Sequence, residues 1–441
     1  MRKRWIAAAA GVAAAATFGL SGCSSSGTSG TSGSTQGPAS GPVSLTFWGW
    51  APGYQQSVAL WNKSHPDIQI DWETVAPGSK GGYTKMLTAV KAGNAPCLAQ
   101  VGYETLPSFA AAGALQDVTQ YASPDQGQFA AWTWNQVTIE GKTYGIPVDA
   151  APMALLYNKT LFAKYGITAP PATWAEYSAD AAKIHQADPK VYIGYFGNDA
   201  YNYAGLDWQD NAPWFTTPNS SWRLGFTSSA GEQVASYWQG LVSRHLLSTD
   251  QSYSPSLYKD MAAGRILSDV NAVWDAPLLA SSVGKSQSGQ WAVAPMPVWN
   301  ASAPAYGNDG GSATAVLNGC KDPQQATEFA DWMSTDSGSV TNLIDVTGIY
   351  PAATSGLSNP ALSAPNAYYG NQVVYDVFKA EMPQINTSWL WGPTMTQVST
   401  DLGNDLGSVE TGSQTVAGML GDVQSKTAAQ LTQQGISVSG G

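Results

Sequence analysis

Between Val43 and Val101 the sequence switches repeatedly between the hydrophobic periods of strand and helix, and this alternation constrains the fold more than any other feature. Val43 to Trp50 sets Leu45 and Phe47 among β-favouring neighbours, Tyr54 to Asn62 reads as a helix, and Ile68, Ile70 and Trp72 return to the two-residue period of a strand. A helical stretch from Tyr83 to Ala92 and the short apolar run Leu98 to Val101 complete a β-α-β-α-β order. Consecutive parallel strands need a crossover that helices supply, so this order predicts an α/β fold with a mostly parallel sheet under helices. Further helix starts are marked by Thr173 with Glu176 and Ser229 with Glu232, which fit capping boxes, and by Asp322 before Pro323 and Gln325.

What precedes Val43 cannot join that core. Ser24 to Pro42 consists only of Ser, Gly, Thr, Ala, Pro and Gln, an uncharged stretch that reads as a flexible tether. Ahead of it, Arg2, Lys3 and Arg4 lead into an apolar run from Trp5 to Leu20 that is short for a membrane span and reads as an export signal. The run ends in Leu20-Ser21-Gly22-Cys23, which resembles the bacterial lipobox, so residues 1–22 are expected to be removed and Cys23 to carry the lipid that anchors 23–42 and all that follows to the outer face of the membrane. About 400 residues remain, more than one hydrophobic core usually serves, and two lobes are expected.

Loss of the signal leaves 17 of the 20 basic residues against 31 acidic ones, and so acidic a chain repels phosphate backbones, which argues against a nucleic-acid partner. Cys97 and Cys320 are the other two cysteines, either bridged or separately buried, and no pair stands at metal-ligand spacing.

The segments Tyr144-Gly145-Ile146-Pro147-Val148-Asp149 and Met153-Ala154-Leu155-Leu156-Tyr157-Asn158-Lys159 resemble extracellular solute-binding proteins of the maltose-binding type. The likeness continues, in the family's order, through Pro171 to Tyr177, Ala263-Gly264-Arg265, Pro295-Met296-Pro297, Gly310-Gly311-Ser312, Ala326 to Trp332 and Gly348-Ile349-Tyr350-Pro351. It implies a periplasmic-binding-protein-like fold of two α/β lobes joined by a hinge, lobe 1 taking 43–148 and 306–349 and lobe 2 taking 149–305 and 350–441. It also implies a monomer without cofactor that binds a small molecule, most of all a carbohydrate, and delivers it unaltered to the permease subunits of an ABC importer. With both cysteines in lobe 1, the resemblance favours a Cys97–Cys320 bridge.

A sugar ring offers an apolar face and a rim of hydroxyls, which calls for flat aromatic platforms beside acidic or amide groups. The folded part holds 17 of the 18 tryptophans. Placed on the family's pattern, the resemblance implies ligand contacts from Trp50, Tyr103, Glu104 and Asp149, from Asp199 and Tyr201 in a loop, from Trp274 at a strand end, and from Asp309, Gly311 and Trp391. Each has a plainer reading as a core or loop residue. Ala151 lacks the acidic side chain that maltodextrin binders carry shortly after Asp149, so the resemblance does not extend to maltose; an amine or cationic ligand suits acidic groups as well.

Other chemistries find less support. Two carboxylates could serve an exported glycosidase, but no sequence feature marks one for a raised pKa. His65, His185 and His245 stand in helix-like contexts, no G-x-S-x-G or H-E-x-x-H occurs, and Gly141-Lys142-Thr143 reads as a polar hairpin turn because Gln136 replaces the glycine a phosphate loop needs. A peptide-binding relative of the same fold is the remaining alternative.

Overall fold

The computed structural model describes residues 42–218 and 221–439. The export signal, Cys23 and the tether as far as Gly41 lie outside the described residues. Strands Val43–Gly49, Ile68–Thr74 and Leu98–Gly102 alternate with helices Tyr54–Ser64 and Gly82–Ala92, in the order the periodicity predicts. The first strand buries Leu45, Phe47 and Gly49 and leaves the residues between them partly open, while Leu98–Gly102, covered on both faces, is buried throughout.

The three strands are parallel, with Phe47 opposite both Trp72 and Leu98. The full sheet runs Ile68–Thr74, Val43–Gly49, Leu98–Gly102, Ser312–Val316, Gly145–Pro147. Ser312–Val316 is antiparallel to both its neighbours, so the sheet is mixed rather than mostly parallel. That strand arrives from far downstream, and no local period announces its direction. Helix Pro323–Thr335 follows and seats Phe329 against Phe47, ring centroids 5.7 Å apart at 73°, an edge contact adding about 1 kcal/mol to the area buried.

A second sheet has Met153–Asn158 at its centre between Ser268–Ala272 and Trp291–Pro295, all antiparallel. Two α/β lobes result, one on each sheet. Asp149–Ala150 lies directly between the strand ending at Pro147 and the one starting at Met153, and pairs with Tyr350–Pro351.

Cys97 and Cys320, 4.5 Å apart between Cα atoms, form a disulfide beside the Leu98–Val316 pairing of the first sheet. Thr173 caps helix Trp174–Ala187 with the full reciprocal box: its hydroxyl accepts from Glu176 N at 3.2 Å, and Glu176 accepts from Thr173 N at 3.2 Å. At the next start the cap is Ser228, not Ser229, because the hydroxyl of Ser228 accepts from Gly231 N and Ser229 is already helical. Asp322 occupies the cap position of its helix without a side-chain bond. Glu140 and Gly141, both at positive φ (52° and 76°), form the two-residue turn of a hairpin joining Thr138–Ile139 to Lys142–Thr143.

Candidate functional site

Three of the sequence-predicted positions follow the ends of strands. Trp50 comes directly after Val43–Gly49, and Tyr103 and Glu104 directly after the parallel Leu98–Gly102, so they share one edge of the first sheet, the carboxyl edge at which open α/β sheets receive ligands. Trp50 packs edge-on against Tyr83 at 5.6 Å, and its backbone N–H, like that of Ala51, donates to the side-chain oxygen of Gln100 at 3.0 Å. The Tyr83 hydroxyl donates to Glu104 Oε1 at 2.8 Å. Burial pushes the Glu104 carboxyl up to about 7 against the pull of that bond.

Tyr103, Asp149 and Gly311 are knitted to one another where the chain passes between the sheets. The Tyr103 hydroxyl donates to the Asp149 carbonyl at 2.9 Å, and Ser312 donates to Asp149 Oδ1 through its N–H and its hydroxyl, at 2.8 and 2.9 Å. Burial raises the Asp149 carboxyl to about 7 despite both bonds. Gly311 stands at φ +89°, and a Cβ there would come within 2.7 Å of the Tyr103 ring and 3.0 Å of the Asp149 carbonyl. Only glycine fits this crossing.

The turn at Gly310 and Gly311 places Asp309 under Trp274, whose indole N–H donates to the Asp309 carbonyl at 2.9 Å. Trp274 is half-buried and caps helix Asp275–Val283, two residues beyond the strand it was expected to end. Tyr253 tilts against its ring at 5.9 Å and donates its hydroxyl to Asp199 Oδ2 at 2.8 Å. Asp199, expected with Tyr201 in a loop, instead caps helix Ala200–Gln209 by accepting from the N–H groups of Tyr201 and Asn202, which puts Tyr201 inside the first helical turn. Trp391 is buried in an aromatic cluster with Trp208, Trp214 and Trp389, and the Tyr201 ring meets its edge at 6.5 Å.

Several residues at this place were not among the sequence candidates. Asp269 and Asn271 share one face of strand Ser268–Ala272, and the Tyr195 hydroxyl and the Asn271 amide point to Asp269 Oδ2 at 3.5 and 3.4 Å. Asp269 and Asn271 at a two-residue spacing around Val270 were the available signal. Asp275 begins its helix wholly buried, in hydrogen-bonding reach of Asp269, a contact that requires one of the two to be protonated. Burial first, and neighbouring carboxylates second, hold Asp275 and Asp309 well above the ordinary carboxylate range, and burial raises Asp269. The charges acting on Asp309 are those of Asp199, Glu104 and Asp269, so groups from both sheets share one electrostatic field.

A family model for bacterial extracellular solute-binding proteins matches residues 48–339. The chain belongs to this family. Among solved structures, this solute-binding protein is similar to the galacto-N-biose-/lacto-N-biose I-binding protein of the ABC transporter from Bifidobacterium longum in complex with lacto-N-biose: 32% identity, TM-score 0.82, 91% of this chain and 100% of that one. It is also similar to an ABC transporter associated binding protein from B. animalis subsp. lactis Bl-04 in complex with beta-1,6-galactobiose, at 28% identity and TM-score 0.82, covering 90% of this chain and 100% of that one. A Brucella abortus protein described only as a binding protein is 33% identical over 134 residues, 30% of this chain; the match spans about a third of that relative, 32% of its length. The family and the two-lobed architecture implied by the sequence resemblance are those found. Among the described residues no helix is long and apolar enough to cross a membrane.

Proposed function

We propose that this solute-binding protein captures a carbohydrate between its two lobes and passes it, chemically unaltered, to the permease of an ABC importer. The observation that carries the reading is that flat rings and carboxyls from both sheets come within electrostatic reach of one another: Trp274 and Tyr253 beside Asp199 and Asp309, with Glu104 of the Trp50 and Tyr83 group acting on Asp309. Stacking on Trp274 and Trp50 and acceptance of hydroxyl protons by Glu104, Asp199 and Asp309 are the assigned contacts, with Tyr201 lining the space between them. Tyr103, Asp149 and Gly311 act as the joint. The binders of lacto-N-biose and galactobiose support this assignment through their similarity over nine-tenths of the chain.

In this reading lobe 1 comprises 43–148 and 306–349, lobe 2 comprises 149–305 and 350–441, and a lipid on Cys23 holds both near the permease. A guest touching both lobes favours closure by its differential affinity for the closed state. A thermal-shift screen of di- and oligosaccharides tests the function: a ligand at 100 times its Kd adds about 2.7 kcal/mol of stability. Saturable stabilisation by a saccharide recovered intact is expected; a panel without effect, or cleavage of the bound sugar, overturns the proposal.

A further inference from the structure

The carboxyl groups around Trp274 have no positive partner. Among the described residues three ion pairs form, Lys85–Glu73, Arg265–Asp260 and Lys426–Asp405, and none involves Glu104, Asp199, Asp269, Asp275 or Asp309. No basic side chain figures among the main influences on the carboxyls of Glu104, Asp269, Asp275 or Asp309. Asp275 is wholly buried against the equally acidic Asp269, and Asp309, 2% exposed, has no donor at Oδ2. A buried acceptor without a donor is costly, and a buried charge without a counter-charge more so. Neutral hydroxyls would supply donors but no charge.

Among the described residues no three Asp, Glu, His or Cys side chains converge tightly enough to hold a metal ion. The acidic field is broader, spanning Glu104 on one sheet edge and Asp269, Asp275 and Asp309 around Trp274. That spread matches a cation carried on an extended hydroxyl-rich frame, with the ring on the aromatic face and the charge among the carboxylates. We infer that the guest is a saccharide bearing a basic amine, its ammonium held by Asp309 and Asp275; this rests on the carbohydrate reading above. Burial holds these carboxyls above their usual range, and an ammonium would favour their ionised forms.

The test compares sugars that differ in one substituent: glucosamine with glucose, galactosamine with galactose, and de-N-acetylated lacto-N-biose with lacto-N-biose, each titrated at pH 7 against the full chain beside a panel of neutral oligosaccharides. An amine-bearing member is expected to bind about tenfold or more tightly than its neutral partner, the increment of one charge-assisted hydrogen bond. Asp309→Asn and Asp275→Asn should each reduce that preference while raising the melting temperature of the ligand-free protein, since each removes the cost of neutralising a carboxyl on burial. Neutral members binding as tightly as the amines, or variants that keep the preference intact, would overturn the inference and leave the carbohydrate reading standing. Silence from every saccharide, amine-bearing or neutral, would remove both.

Discussion

Two aromatic regions of the molecule use the same residue types to opposite ends. In one, Trp208 and Trp389 stack at 4.9 Å and 6°, Trp391 closes on both, and the indole N–H groups of Trp208 and Trp214 donate to the Asn386 carbonyl and to Asp207 Oδ2, at 2.6 and 2.7 Å. The four tryptophans are all buried and the region is closed. In the other, Trp274 has Tyr253 on one side, remains half-buried, and adjoins Asp309, whose Oδ2 lacks a donor. Aromatic content therefore does not mark a binding site, and neither do unmet polar atoms, since Trp389 Nε1 and Asp207 Oδ1 also lack partners inside the closed cluster; a half-open aromatic face beside carboxyls does, because an outside molecule can reach it.

The comparison can be broken by substitution. Trp389→Ala should produce the largest effect, about 3–5 kcal/mol of lost stability in denaturant unfolding, as expected for a large aromatic removed from a packed cluster. Trp274→Ala should leave stability far less changed yet weaken saccharide affinity by about 2 kcal/mol, the size of an interfacial aromatic anchor. If the two variants exchanged phenotypes, the assignment of the regions would be reversed.

A third and smaller effect is on pH. Burial pushes the carboxyls of Glu104, Asp149 and Asp269 up to about 7, well above the ordinary carboxylate range. Protons bound in the native state and released by the unfolded chain make their contribution fully present below the unfolded pKa, and it is lost as pH rises toward 7. The ligand-free protein should therefore melt higher at pH 5.5 than at pH 7.5, measured by calorimetry, and saturating ligand should narrow the difference.

Much of this architecture was legible in the sequence. The first five elements followed from period alone, and Thr173 with Glu176 named a real capping box, because these signals depend on neighbours along the chain. The antiparallel entry of Ser312–Val316 was not, since register between distant segments leaves no local trace. At the proposed site, the resemblance offered Trp274, Asp309, Glu104 and Asp199 as candidates but not Tyr253, which stands at a positive φ of 61° and meets Trp274 only in the folded chain. Trp391 looked like a platform because sequence distinguishes a tryptophan poorly from its surroundings, and its three indole neighbours meet only in the folded chain.

The most direct test of a guest held between the lobes is a crystal structure with a saccharide bound. The ring should lie against Trp274, with polar atoms in reach of Asp309 and Glu104. A saccharide seated instead in the open groove of about 850 Å³ lined by Tyr192, His245, Glu410 and Gln414, with the space around Trp274 unfilled, would contradict the account.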